Sequence, residues 1–121
     1  MQTRQHIEAS QRFLGDALAL ESRGSHMGAA EMIWGATVQA LEAIGHIRMG
    51  NAIEHLSRNA RRRLAEFVVF EGMQRYNLTQ NDLHGHFYSG HLAFEEYADS
   101  MRQGRELVTE LLSIAQASGG Q

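Results

Sequence analysis

HMGAAEMIWGATVQALEAIGHIRM, residues 26 to 49, decides how the whole chain is read. Met27, Ala30, Trp34, Val38, Leu41 and Ile44 recur at three- and four-residue spacing, the period of an α-helix. Ile33, Thr37, Ala40 and Ile47 widen that face. A stripe this wide predicts a central helix covered from several sides. Gly35 and Gly45 lower its intrinsic stability and leave room for a neighbour to come close. Glu31 and Glu42 do not suit an apolar setting, and their spacing puts them on a similar face. A carboxylate so placed needs a partner, and an arginine or histidine of another helix is the natural one.

Helical patterns continue on both sides. Ile7, Leu14 and Leu18 give a stripe over about Thr3 to Glu21, and Gly24 breaks it. A third helix is expected over about Ile53 to Glu71, opened by Asn51 and stopped by Gly72. FVVF (67–70) alone suits a strand, but its flank RRRLAEF is helix-forming. MQRYNLTQ (73–80) reads as a connector. TQND (79–82) matches a capping box with Thr79 as N-cap, which predicts a short helix over about Gln80 to Ser89. Phe94, Tyr97, Met101, Gly104, Val108, Leu111 and Ala115 repeat as a bundle seam in a last helix, Phe94 to Ala117. The result is an all-α chain: an antiparallel helical bundle of about four long helices plus one short helix. It forms a single domain over residues 1–117, with 118–121 a disordered tail.

Composition narrows the chemistry. The 121 residues contain no cysteine, so thiolate metal sites and disulfides are excluded. Every basic residue is arginine, which excludes a lysine nucleophile or Schiff base. A net charge of -3 gives no strong drive toward nucleic acid or an anionic membrane. No apolar run reaches spanning length and the N-terminus is too polar for a signal peptide, so a cytoplasmic protein without membrane contact is expected. The tetrapeptide GSHM (24–27) resembles a tag remnant, and His26 is given no functional weight.

LHGHFYSGHL (83–92) carries three histidines. On a helix His84 and His86 point to nearly opposite sides, while His84 and His91 share a face about 10 Å apart. Neither pair has the i, i+4 spacing that holds a zinc on one helix, so no metal site and no cofactor are expected. His84 is expected to be buried beside Phe87 and Tyr88, and His86 to face solvent or a partner. Arg58, Arg61, Arg62 and Arg63 cluster on the third helix and are candidates for nucleic-acid contact. Glu54 and Glu66, at i, i+4 from Arg58 and Arg62, favour a solvated, salt-bridged face instead. Glu95 and Glu96 suit the first turn of the last helix.

Two stretches together resemble the PaREP-type family of small helical proteins. Glu31, Trp34, Gly35, Ala36, Gln39 and Ala40 match its E-x-x-W-G-A-x-x-Q-A helix. Leu83, His84, Phe87 and Tyr88 match its L-H-x-N-F-Y turn, with His86 in the asparagine position. The resemblance covers about Ser25 to Ala115 and leaves out the first helix. The family looks like a branch of the HEPN group of antiparallel helical bundles, which are often dimers and of which many are metal-independent ribonucleases. The resemblance implies a HEPN-like homodimer that binds a partner, RNA or a nucleotide-like ligand, with Glu31, Trp34, His84, His86 and Tyr88 as ligand-binding candidates. The ribonuclease mark, an arginine and a following histidine with four to six residues between them, has one numerical match, Arg48 to His55. There Met49 takes the place of the usual polar residue, and the pair lies away from the last helix. Arg75 and His84 are too far apart to match. A non-catalytic module is therefore the expectation. The alternative is a ribonuclease with His84 as general acid/base and Arg75, Arg48 and His55 as further catalytic candidates.

Overall fold

The computed structural model describes residues 2–50 and 56–118. Its helices are α1 (Thr3–Ser22), α2 (His26–Met49), α3 (Arg58–Val68), α4 (Gly72–Leu78), α5 (Gly85–Ser89) and α6 (Phe94–Ala117), with a π-helical turn, Thr79–His84, between α4 and α5. Backbone angles stay helical at Leu78, Thr79, His84 and Gly85, so α4, the π turn and α5 form one continuous rod. The described residues are thus all-helical, without a strand.

Helix α2 is the centre. It packs against α1, α3, α5, the π turn and α6. Leu41 to His46 are six consecutive buried residues, so no side of the helix faces solvent there. Helix α1 folds back on α2 through a turn in which Gly24 has φ 79°. Helix α6 lies across α1 and α2. Its seam is buried from Tyr97 to Ala115, while Phe94 is exposed. Gly104 is the point of closest approach: a Cβ there would sit 2.7 Å from Ile33 Cγ2 and 2.9 Å from Leu83 Cδ1. Tyr97 donates to Glu21 Oε2 at 3.1 Å and ties α6 to α1. Burial, then the Glu21 carboxylate, push this phenol well above its usual range, so it stays a donor.

The expected bounds hold for α1 within a residue, and for α2 and α6 in full. The middle of the chain differs. Helix α3 begins at Arg58, where Ser57 caps it by accepting from Ala60 N–H at 3.1 Å. The expected start at Asn51 to Ile53 lies outside the described residues. The helix stops at Val68, because Val69 is extended and Glu71 takes the left-handed conformation with φ 54°. Gly72 then starts a helix instead of ending one. A Cβ there would fall 1.8 Å from the Ala65 carbonyl oxygen, so only glycine fits the corner. MQRYNLTQ is helical, not a connector, since burial of Tyr76 and Leu83 against the bundle holds this stretch in one rod. Thr79 is not an N-cap: its hydroxyl donates to Arg75 O at 3.0 Å, and Asp82 accepts from Ser100 Oγ of α6. The threonine-to-aspartate spacing caps a helix only where the chain enters from extended backbone, and here it enters already helical.

Replacing Gly104 by alanine is expected to cost about 1–3 kcal/mol, because Ile33 and Leu83 would have to yield to the new methyl. Urea unfolding of the wild type and the variant measures this directly. An unchanged midpoint would contradict the tight contact.

Candidate functional site

Glu31 and Trp34 lie one turn apart on α2, while His84 and Tyr88 lie one turn apart on the rod. The π turn resets the rod's phase: Gly85 N–H reaches back to Gln80 O, five residues away. With this phase Leu83 is fully buried and His84 meets α2. The His84 and Glu31 side chains approach at 2.7 Å between Nδ1 and Oε1. A carboxylate accepts, so Nδ1 carries the hydrogen and the bond is charge-assisted. The imidazole stacks on Trp34, with centroids 5.1 Å apart and planes 28° apart. Tyr88 stands edge-on to it at 5.1 Å.

The same surface continues to Arg61. Its guanidinium lies 5.8 Å from the Trp34 ring and 6.0 Å from Tyr76, and Nε donates to the Tyr76 hydroxyl at 2.9 Å. The corner is half open. Trp34 is 9% exposed, the His84 and Glu31 side chains about a quarter, and Tyr88 is 72% exposed. Four of the five ligand-binding candidates therefore converge. His84 is hydrogen-bonded and lies beside Tyr88, but it is half-buried and not buried, and both Phe87 and Tyr88 are exposed.

His86 is the fifth candidate and lies elsewhere. It is buried, against the expectation that it faces solvent or a partner. Its Nδ1 accepts from Leu92 N–H at 3.1 Å, and its ring packs near Tyr97 and His91. The αL turn at Gly90 folds the following chain over it. Burial first, then the neighbouring His91 and His26, push its pKa below the ordinary value of 6.5. His91 itself is exposed and bonds Ser89 Oγ at 2.8 Å. His26, discounted in the sequence, stacks on Tyr97 at 4.6 Å.

The arginine cluster divides. Arg58 and Arg63 are exposed, but Arg61 turns inward, as described, and Arg62 is half-buried, donating to Asn59 at 3.4 Å. Glu66 accepts from Met73 N–H at 2.9 Å across the α3–α4 corner instead of pairing with Arg62. The expected Glu66–Arg62 pair is thus corrected, while Glu54, the expected partner of Arg58, lies outside the described residues. The catalytic candidate His55 lies outside them too. Arg48 lies over the Phe67 ring at 4.5 Å, and Arg75 pairs with Glu110 and donates to Phe70 O. Neither arginine reaches the His84 corner in these arrangements.

A second cluster was not expected. His6, Glu42 and His46 are all buried, and one donor atom of each lies within 4.8 Å of the others. Among the described residues no hydrogen-bond partner meets His6 Nε2 or either ring nitrogen of His46. A buried polar group left bare costs about 1–3 kcal/mol, so three such atoms are a heavy burden for a small domain. His6 Nδ1 meets Gln39 Oε1 at 2.6 Å. Glu42 accepts from Leu56 N–H at 2.9 and 3.1 Å, and Arg61 stands 4.0 Å away. The i, i+4 spacing of Glu42 and His46 on a buried helix was the available sequence signal. Its third member comes from α1, and spacing along the chain says nothing of that contact.

Compared with known protein families, curated proteins and solved structures, the chain gives no significant match. No described helix is long and apolar enough to cross a membrane.

His86 gives a pH prediction. Its lowered folded-state pKa means that the unfolded chain takes the proton more readily. The stabilisation by neutral His86 is therefore complete above the ordinary value of 6.5 and lost as pH falls through the folded-state value. Gln at this position can still accept from Leu92 N–H but does not titrate. Unfolding free energies between about pH 8 and 5 are expected to fall more steeply in the wild type than in His86→Gln. Parallel curves would count against the buried neutral imidazole.

Proposed function

We propose that this chain is a HEPN-like, non-catalytic binding module that works as a homodimer and takes a nucleotide or a base of single-stranded RNA at the Trp34–His84–Tyr88 corner. The observation that carries the reading is the corner itself. An imidazole is fixed by a carboxylate and seated on an indole, with an exposed phenol ring beside it and a guanidinium along the same surface. Stacking on an exposed aromatic contributes about 1–3 kcal/mol per base, and Tyr88 offers such a face. Arg58 and Arg63 are the exposed cations for phosphate. The dimer is supported by apolar surface at the end of α3. Phe67 is 74% and Phe70 83% exposed, and Val68, Val69 and Ile114 lie half-buried beside them.

The ribonuclease reading rests on the Glu31–His84 pair, which orients the imidazole through Nδ1 and leaves Nε2 for proton transfer. The engagement of Arg48 with Phe67 and of Arg75 with Glu110 favours binding over catalysis.

Trp34 is the only tryptophan, so its fluorescence reports on the corner. Titration with mononucleotides and a mixed-sequence oligoribonucleotide is expected to change its emission saturably, with Tyr88→Ala weakening binding about tenfold or more. Unchanged emission would remove the ligand. Intact RNA after incubation without metal fits the non-catalytic reading; cleavage abolished by His84→Ala would replace it with the ribonuclease. Light scattering is expected to give a dimer at micromolar concentration that Phe70→Ser weakens, and a strict monomer would end the dimer reading.

A further inference from the structure

We propose that His6, Glu42 and His46 form a binding site for one divalent first-row transition-metal ion, with zinc the ion it suits best. Two imidazoles and a carboxylate are the nitrogen and oxygen ligands that zinc takes in four-coordinate sites. Glu42 and His46 project from one turn of α2, and His6 closes the set from α1. The expectation of no metal site came from His84, His86 and His91, which are not the residues that the fold brings together.

The state of the ring nitrogens supports the assignment independently. Each member of the cluster is more than nine-tenths buried, and the only two histidines with bare buried nitrogens among the described residues are His6 and His46. Their rings meet edge to face with centroids 4.8 Å apart, and among the described residues those nitrogens have no protein partner. His6 donates its Nδ1 hydrogen to the Gln39 amide oxygen, so the lone pair is at Nε2, the unpartnered atom. A metal-bound histidine ordinarily gives its other ring N–H to such an acceptor, which sets the tautomer and the ring plane. Glu42 is held in the same way: Leu56 N–H bridges its two oxygens and Arg61 stands beside it. Among the described residues its remaining lone pairs are free for an ion.

Geometry sets the adjustment required. Zinc bonds of about 2.1 Å in a tetrahedron hold donors about 3.4 Å apart. The present spacing of up to 4.8 Å has to close by at most about 1.4 Å, which rotation of the side chains supplies. Three protein ligands leave one coordination position for water or a small anion. The ion would staple α1, the helix outside the family resemblance, to the centre of the bundle.

The test uses the full chain purified without a histidine tag, stripped with chelator and titrated with zinc chloride. The expected result is one zinc per chain and a melting temperature raised by about 10 °C at a hundredfold excess over Kd. His46→Leu and His6→Gln are each expected to abolish this 1:1 binding, while His91→Gln leaves it intact. Stripped His46→Leu is expected to fold at least as stably as the stripped wild type, because leucine carries no bare nitrogens. Absence of saturable 1:1 uptake in the wild type overturns the proposal, as does uptake that survives both His46→Leu and His6→Gln. Ring-nitrogen NMR of the wild type adds a readout that does not depend on the variants: the His6 and His46 signals must shift on zinc addition, and a shift confined to other histidines overturns the assignment.

Discussion

A carboxylate on a largely enclosed helix needs another part of the chain to come and meet it. Helix α2 carries two, and both are met. Glu42, 3% exposed, takes the Leu56 N–H between its oxygens, while Arg61 holds the Leu56 carbonyl at 2.9 Å and lies 4.0 Å from the carboxylate. The two side chains thus grip one residue, Leu56, from both its peptide groups, and fix where the chain enters α3. Glu31 draws in His84 and so fixes the rod. An ionised group in this setting without a partner is costly enough to disfavour the fold, so these pairings act as constraints on topology as much as contributions to stability.

The two pairings are joined. Arg61 reaches from Glu42 to the Tyr76 hydroxyl and the face of Trp34, and Trp34 carries His84. One line of charge-assisted bonds and aromatic contacts therefore runs along α2 from the His6–Glu42–His46 cluster to the His84 corner. The proposed metal site and the proposed ligand site share this line, although neither depends on the other. Substituting Arg61 would disturb both. It belongs to the scaffold, and the expectation that it waits on the surface for phosphate gave it too small a role.

Much of the fold was legible because α2 and α6 repeat apolar residues at helical spacing over about six turns, a signal that no local competitor imitates. The partner of Glu31 was legible in kind, a histidine of another helix, whereas Glu42 is bonded by the Leu56 backbone N–H with Arg61 only standing by at 4.0 Å. The identity of either partner was not legible, because it depends on which helices meet. The middle of the chain misled for local reasons. Thr79 and Asp82 have the spacing of a capping box, yet a cap requires a chain that enters extended, and Tyr76 keeps it helical. Gly72 has the usual look of a helix stop, yet the Ala65 carbonyl makes it the first residue of the next helix. A π turn has no sequence signature of its own; with its phase His84 points inward and pairs with Glu31, and His86 is buried beside Tyr97, which reverses the reading of His86. His6 was passed over because its importance comes from a contact with a helix 20 residues further on.

The central claim is that the buried carboxylate of α2 and its partners hold the chain in register, and a double-mutant cycle on Glu42 and Arg61 tests it most directly. Unfolding would be measured in urea with chelator present, for Glu42→Leu, Arg61→Leu and the pair. The account predicts a loss of about 3 kcal/mol or more for Glu42→Leu. It also predicts a double variant at least about 1 kcal/mol more stable than the sum of the single losses implies. A near-neutral Glu42→Leu, or strict additivity, would contradict it.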